Sequence, residues 1–208
     1  MNAWGSPTYI SIAGGNGSGK TTLKEGLIHN QVPLGEMVDI DMLTKLIGFE
    51  ASSTYFGQKI NHYLEEGISY TQETTTPSHI FFKTAKSKEF HTILCFVALD
   101  DEAMCVDRVA SRVELGGHNV PEDIIRKNYR DSFVGLSKCI PFVDELFLYN
   151  NSHHLELVLA AEKQKAIFQH SAAPPWVEKY AVPYLDMSRV NQKADSHTLQ
   201  RSLDPRTK

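Results

Sequence analysis

The chain has 208 residues, a formal net charge of −4 and 41% hydrophobic residues. A chain of this length and ordinary composition forms one domain, with or without appendages, and can bury its apolar surface without disulfides or metals. Its mild acidity gives no sign of a nucleic-acid or membrane partner, and no apolar run approaches the ~18 residues of a membrane span.

Short apolar segments alternate with longer segments of helical periodicity. The predicted strands are residues 8–13, 36–40, 69–73, 92–99 and 145–149, and the predicted helices are residues 21–30, 41–47, 55–66, 78–88, 101–115 and 121–136. The strand at 92–99 is apolar on both faces, which is typical of a central parallel strand. The alternation predicts an α/β fold with a parallel sheet flanked by helices.

The last quarter of the chain is less regular. Residues 154–170 fit either a hairpin or a helix, and residues 172–180 predict a turn and a short helix that packs Trp176. From residue 186 onward the chain is polar and has few large apolar residues. We therefore predict a single domain over residues 1–185 and a flexible tail over residues 186–208.

The cysteines indicate the compartment. Cys95, Cys105 and Cys139 are odd in number and form no C-x-x-C pair, a pattern that predicts reduced thiols in a cytoplasmic protein. The chain also opens without the basic segment and apolar run of a secretory signal.

A glycine-rich stretch, "GGNGSGKTT", follows the first predicted strand and contains the P-loop pattern G-x-x-x-x-G-K-[ST]. Glycines let the backbone curl so that its N–H groups point at phosphates, and the following helix adds the partial positive charge of its N-terminus. We expect Lys20 to contact the β- and γ-phosphates and the Thr21 hydroxyl to bind Mg²⁺. The predicted phosphate-binding residues are Gly14, Gly15, Asn16, Gly17, Ser18, Gly19, Lys20, Thr21 and Thr22.

The P-loop alone does not separate kinases from GTPases or motors. The chain has no N-K-x-D motif for guanine, and motor proteins are usually longer. We therefore predict an ATP-dependent kinase for a small molecule.

A kinase also needs groups that bind and deprotonate the acceptor hydroxyl at the carboxyl end of a neighbouring strand. Asp41 ends the second predicted strand and is better placed than Asp39, although it also fits an N-cap of the next helix. Glu73, Thr74 and Thr75 end the third strand and predict contacts to a sugar-like acceptor; the alternative is an ordinary threonine-rich loop.

Two predicted helices joined by a Gly-Gly-His loop carry basic residues. Arg108 and Arg112 are four residues apart and share a face of the first helix, and Arg126, Lys127 and Arg130 lie on the second. This arrangement predicts a lid over the phosphates, in which an arginine stabilises the transferring group. The alternative is a solvated charged surface, because acidic residues are interspersed on the same helices.

These motifs together resemble the zeta toxin family of kinases over about residues 8–152. The segments "GGNGSGKTTL", "VDID", "GISYTQETT", "DRVASRVELGGHNVPEDIIRKNY" and "LYNNS" come in the family's order. The resemblance implies a three-layer P-loop NTPase fold of the small-molecule kinase type with an arginine-bearing helical lid. It also implies ATP-dependent phosphorylation of UDP-N-acetylglucosamine at the 3′ hydroxyl of the aminosugar, and a toxin held in check by an antitoxin. We expect that antitoxin to be a separate chain, because the first strand begins a few residues from the start.

The resemblance also implies roles for single residues. Lys20 and Thr21 would serve ATP and Mg²⁺, and Asp41 would be the base. The other implied residues are Glu73 and Thr75 for the acceptor and Arg112 for the transferring phosphate. We further predict that Thr74 contacts the acceptor, that Arg108 and Arg126 contact the nucleotide, and that His118 is catalytic.

The chain departs from the family pattern at three points. Pro77 closes a Glu-Thr-Thr-Thr-Pro segment where relatives often read E-T-T-L-S, Asn128 stands in a frequent run of three arginines, and His118 replaces an arginine. A histidine can hydrogen-bond phosphate but is only partly charged at neutral pH. Three hypotheses therefore stay open: a kinase for UDP-N-acetylglucosamine or a related nucleotide-sugar, a kinase of the same fold for another metabolite or an RNA end, and a nucleotide-binding interaction protein.

Overall fold

In the part of the chain that the structure describes, a mixed sheet of seven strands forms the centre of the fold, and its strand order is β2-β3-β1-β4-β5-β6-β7. A computed structural model describes residues 5–39, 49–188 and 190. The strands are β1 (Thr8–Ala13), β2 (Glu36–Asp39), β3 (Tyr70–Thr74), β4 (His91–Ala98), β5 (Glu145–Asn150), β6 (Glu156–Glu162) and β7 (Lys165–Gln169). The helices are α1 (Lys20–His29), α2 (Phe49–Glu66), α3 (His79–Ser87), α4 (Glu102–Glu114), α5 (Glu122–Cys139) and α6 (Pro175–Tyr180). The predicted helix at 41–47 lies outside the described residues.

The first five strands are parallel, as predicted. β1 pairs with β3 and β4, β2 pairs with β3, and β4 pairs with β5. The near-continuous burial of β4 agrees with its place in the middle of the sheet. Since the carboxyl ends of parallel strands meet at one edge, the segments that follow β1, β3, β4 and β5 are brought together there.

The ambiguous segment at 154–170 is an antiparallel hairpin. β6 pairs with β5 and β7 pairs with β6, which extends the sheet beyond its parallel part. Lys163 and Gln164 join β6 to β7 with φ angles of 46° and 61°, as a two-residue hairpin turn requires. The Ala166 amide donates to the Asp186 carbonyl at 2.9 Å, so the chain still pairs with β7 at residue 186. Residues 189 and 191–208 of the predicted tail lie outside the described residues.

Alternating side chains of the sheet pack against helices on its two faces. One face carries a core rich in aromatic residues that α2, α3, α5 and α6 cover, whereas α1 covers the opposite, mainly aliphatic face through Leu23 and Leu27. Trp176 on α6 is buried with its ring centroid 5.5 Å from that of Phe133, so the predicted packing of this side chain is confirmed. A smaller cluster that includes Val109 joins α4 to α5.

The three cysteines are buried and free. Burial raises the pKa of their thiols to about 12 for Cys95, 11 for Cys105 and 12 for Cys139, which keeps them protonated at neutral pH. In the described ranges, no helix has the length and apolar character needed to cross a membrane.

Candidate active site

The glycine-rich loop lies between the end of β1 and the start of α1, as predicted. Two glycines are required by its path. Gly14 has a φ of 145° and Gly19 has a φ of 104°. A Cβ at Gly14 would lie 2.0 Å from the Val97 carbonyl oxygen, and one at Gly19 would lie 2.1 Å from Asn151 Nδ2. Gly19 is also the N-cap of α1 and provides no side-chain cap, which leaves the first amides of the helix available to an anion.

Two side chains of the loop have polar groups suited to a phosphate. Lys20 Nζ donates to the carbonyl oxygens of Gly14 at 2.8 Å and Gly15 at 3.1 Å, so its ammonium group lies beside the loop. Ser18 is buried, and its hydroxyl has no hydrogen-bond partner within the described part of the chain. A buried hydroxyl without a partner is costly, and a bound anion would supply the missing acceptor.

The loop opens into a cleft of about 310 Å³ at the carboxyl edge of the sheet. Parts of the loop, α1, the end of β3, α4 and the turn after β5 all line this cleft. The lining residues are Asn16, Gly17, Gly19, Lys20, Thr21, Thr22, Glu73, Thr75, Arg108, Arg112 and Asn151. The structure thus brings together most of the predicted nucleotide residues and two of the predicted acceptor residues. Among the charged side chains in this lining, Glu73 is acidic and three are basic.

The end of β3 forms the predicted acceptor side of the cleft. Glu73 is in register with Ile12 of β1, and its Oε2 accepts a hydrogen bond from Lys24 Nζ at 2.8 Å. Thr75 lines the cleft, whereas the Thr74 hydroxyl donates to the backbone of Thr76 at 3.2 Å. The predicted base, Asp41, lies outside the described residues.

The segment after β3 is held against α5. Pro77 is buried, and a Cβ at Gly135 of α5 would lie only 2.6 Å from the Pro77 carbonyl oxygen. Glycine at position 135 therefore permits a close approach that any larger residue would block. Residues 73–77, the predicted acceptor segment, are thus held close to α5 through Pro77.

The two arginines of α4 reach the cleft, and both are bonded to backbone. Arg108 Nη2 donates to the carbonyl oxygens of Asn151 at 2.6 Å and Ser152 at 3.2 Å. Arg112 Nη2 donates to the carbonyl oxygen of His118 at 2.8 Å. His118 is exposed and is not a lining residue of the cleft, so its contribution in this conformation is a backbone contact that orients Arg112.

Arg126 is placed elsewhere. Its Nε donates to Glu122 at 2.9 Å and its Nη1 donates to Glu102 at 3.1 Å, and Arg130 also donates to Glu102. The pairs with Glu102 join α4 to α5, the pair with Glu122 lies within α5, and Arg126 does not line the cleft. Lys127 pairs with Asp131 on its own helix. Ion pairs within α5 and with α4 therefore engage Arg126, Lys127 and Arg130.

Several residues that contact the glycine-rich loop were not predicted as site residues. Asn151 Nδ2 donates to the Ser18 carbonyl oxygen at 2.9 Å, and Asn128 Nδ2 donates to Asn16 Oδ1 at 2.8 Å. A Cβ at Gly15 would lie 3.3 Å from the Tyr129 Cα, so α5 packs directly on the loop. The sequence signal for Asn151 was its position directly after a parallel strand. For Asn128 and for Lys24 no local pattern indicated the contact.

Within the described ranges, no group of three His, Cys, Asp or Glu residues could hold a metal ion by itself. A P-loop does not need such a cage, because Mg²⁺ there is bound by a hydroxyl and by phosphate oxygens. Thr21, the second residue of α1, lines the cleft and has a hydroxyl of the type that such a site uses.

Comparison with known proteins supports the fold. No family model matches the chain. An uncharacterised protein of Haemophilus influenzae is 27% identical over 132 residues, which are 58% of this chain and 91% of that protein. A chain in the crystal structure of AvrRxo1-ORF1:-ORF2 with ATP aligns over 88% of this chain with 13% identity and a TM-score of 0.61. This chain spans 66% of the length of that one.

A further solved structure belongs to the PezAT chromosomal toxin-antitoxin system of Streptococcus pneumoniae. It aligns over 72% of this chain and 71% of its own, with 15% identity and a TM-score of 0.50. At such identities the likeness concerns the fold. Together with the strand order, it confirms the predicted α/β fold with a sheet flanked by helices.

Proposed function

We propose that this chain transfers the γ-phosphate of ATP to a hydroxyl group of UDP-N-acetylglucosamine or a related nucleotide-sugar. One observation carries the proposal: a single cleft joins the phosphate-binding loop to Glu73 and Thr75 at the end of β3. A triphosphate in the loop and a hydroxyl at β3 would therefore be neighbours, as phosphoryl transfer requires.

The loop and α4 would bind the nucleotide. The amides at the start of α1 and the Lys20 ammonium group would contact the phosphates, whose oxygens would join or replace the loop carbonyls as acceptors for Lys20. Bound Mg²⁺, held by the Thr21 hydroxyl and phosphate oxygens, would neutralise charge on the β- and γ-phosphates. Arg108 and Arg112 line the same cleft and would stabilise negative charge on the transferring group.

The acceptor would lie between Glu73 and the loop. Its hydroxyl oxygen attacks the γ-phosphorus, the bond from that phosphorus to the bridging oxygen breaks, and ADP leaves. We assign the proton to the carboxylate of Asp41. Glu73 and Thr75 would orient the sugar by hydrogen bonds, with Thr74 shaping the segment through its bond to Thr76.

We also propose that the protein is the toxin of a toxin–antitoxin pair whose antitoxin is a separate chain. Its support is the motif order described above and the fold likeness to the toxin-antitoxin structure from Streptococcus pneumoniae. Co-expression with the product of an adjacent small gene should then relieve a growth defect. A chain that is harmless when expressed alone in its active form would contradict this assignment.

A second candidate is a kinase of the same fold that acts on another hydroxyl compound. It is favoured by the acceptor segment, where buried Pro77 lies against Gly135 and constrains the backbone beside Thr75. A constrained segment of different sequence can present a pocket for a different sugar or polyol.

The test is to incubate the protein with Mg·ATP and UDP-N-acetylglucosamine, and to analyse products by mass spectrometry and phosphorus NMR. A new phosphomonoester that Lys20→Ala fails to make would support the proposal, and Lys127→Ala serves as a lysine control away from the cleft. Faster labelling of another compound in a panel of hydroxyl acceptors would favour the second candidate. Absence of phosphoryl transfer to every acceptor would contradict both.

A further inference from the structure

Lys24 links the first turns of α1 to the acceptor side of the cleft. It lies one helical turn after Lys20 and therefore on the same face of α1. Its Nζ lies 2.8 Å from Glu73 Oε2, and the two side chains are only 21% and 16% exposed. Lys24 does not line the cleft, whereas Glu73 does. Lys24 thus binds the Glu73 carboxylate from outside the cleft.

The pair leaves one carboxylate oxygen for a ligand. Lys24 binds Oε2, and within the part of the chain that the structure describes Oε1 has no hydrogen-bond partner. An ionised carboxylate only accepts hydrogen bonds, so the group that meets Glu73 in the cleft must be a donor such as a hydroxyl or an amide N–H.

A charged hydrogen bond from a partly buried lysine also restricts the rotamers of Glu73. A glutamate that is free to rotate must be ordered when the acceptor binds, and this ordering weakens binding. A glutamate already held by Lys24 avoids that cost. The effect concerns the acceptor, since the phosphate-binding groups of the loop are held by separate contacts.

We propose that Lys24 is a positioning residue that orients Glu73 towards the acceptor hydroxyl. The proposal deepens the phosphotransfer function proposed above and rests on it. It assigns to Lys24 an effect on acceptor recognition without any contact to the acceptor itself.

The test uses the full chain and steady-state kinetics with ATP and the phosphorylated acceptor, which is UDP-N-acetylglucosamine or whichever panel compound the wild-type protein phosphorylates. Lys24→Met, which keeps the aliphatic stem, should raise the KM for the acceptor about tenfold, as loss of a hydrogen bond to a charged group does. The KM for ATP should stay within about twofold, because the loop contacts are untouched. Lys24→Arg retains a charged donor and should restore most of the loss.

A double-mutant cycle separates positioning from a general structural effect. If Lys24 acts through Glu73, Lys24→Met should have no further effect on acceptor KM in a Glu73→Gln background. Lys86→Met is the matched control, because Lys86 Nζ also binds a carboxylate, that of Asp144, at 2.6 Å. Asp144 precedes the amino end of β5 and so lies at the edge of the sheet opposite to the cleft. Lys86→Met should lower the melting temperature while leaving both KM values unchanged.

The outcomes distinguish the inference from the function on which it rests. If the wild-type protein phosphorylates an acceptor but Lys24→Met changes both KM values equally, changes neither, or acts additively with Glu73→Gln, the role of Lys24 is overturned alone. If the wild-type protein phosphorylates no acceptor, the proposed function and the role of Lys24 are both overturned.

Discussion

Replacing Gly135 by alanine tests the close packing of α5 on the acceptor segment. A Cβ at this position would lie 2.6 Å from the Pro77 carbonyl oxygen, 3.0 Å from Thr76 Cγ2 and 3.1 Å from Pro77 Cδ. The nearest of these atoms belongs to the backbone, so it cannot move aside as the end of a flexible side chain can. Either α5 or the segment that carries Glu73 and Thr75 must shift.

Two opposing terms set the size of the effect. Alanine is favoured over glycine in a helix interior by ~1 kcal/mol, whereas an extra methyl group in a packed contact costs ~1–3 kcal/mol. Because a backbone oxygen is in the way, we take the steric cost as ~2–3 kcal/mol, which leaves a net loss of stability of ~1–2 kcal/mol. For a protein of this size such a loss lowers the melting temperature by about 2–8 °C.

Gly26 offers the matched control. It lies in the interior of α1, and a Cβ there would meet nothing within 4 Å. Gly26→Ala should therefore stabilise the protein by ~0.5–1 kcal/mol, because only the helix-propensity term applies.

The measurement is urea unfolding of both variants, followed by circular dichroism, together with the KM values for ATP and acceptor. We expect the two alanine variants to change the free energy of unfolding in opposite directions, and the Gly135 variant to raise the KM for the acceptor more than that for ATP. If Gly135→Ala stabilises the protein as much as Gly26→Ala does, the reasoning on the packed contact is refuted.

The remaining predictions concern charged side chains inside and outside the cleft. Arg108→Ala should weaken binding of a non-hydrolysable ATP analogue about tenfold in calorimetry, because this side chain lines the cleft. Arg126→Ala should change it less than about twofold, because Arg126 pairs with Glu102 outside the cleft; the reverse order would contradict these placements. Burial alone would raise the pKa of Asp144, but hydrogen bonds, led by that from Lys86, outweigh it and lower the pKa below its ordinary value of 3.8. The ionised form of Asp144 therefore adds stability above pH 3.8, and this stability is lost as the pH falls through the lower pKa of the folded state. In urea unfolding, Asp144→Asn should be less stable than wild type at pH 7, and the difference in free energy of unfolding should be smaller at pH 3. A difference that stays constant between the two pH values would refute this.

The glycine-rich loop and the parallel strands could be predicted from the sequence because their determinants are local. A loop that curls around phosphate needs glycines at fixed spacing, and Gly14 and Gly19 have the positive φ angles that this path requires. The apolar run of β4 is likewise a direct consequence of burial on both faces. Such features depend on a few consecutive residues, so a linear pattern contains them.

The hairpin of β6 and β7 was left open by the sequence because its apolar run fits a helix or a strand by periodicity alone. Its turn residues, Lys163 and Gln164, have positive φ angles without being glycines, so no turn motif marked them. Pairing with β5 in the folded sheet decided the conformation.

The partners of charged side chains were decided by the tertiary structure. Arg126 and Arg112 carry the same charge on neighbouring predicted helices, yet one pairs with Glu102 and the other reaches the cleft. Lys24 meets Glu73 across 49 residues of chain only because β1 and β3 are adjacent in the sheet. The sequence by itself determined that this protein has a glycine-rich loop of the P-loop pattern at the end of a parallel strand. Strand order and helix packing, which join residues far apart in the chain, decided which side chains share the cleft with it.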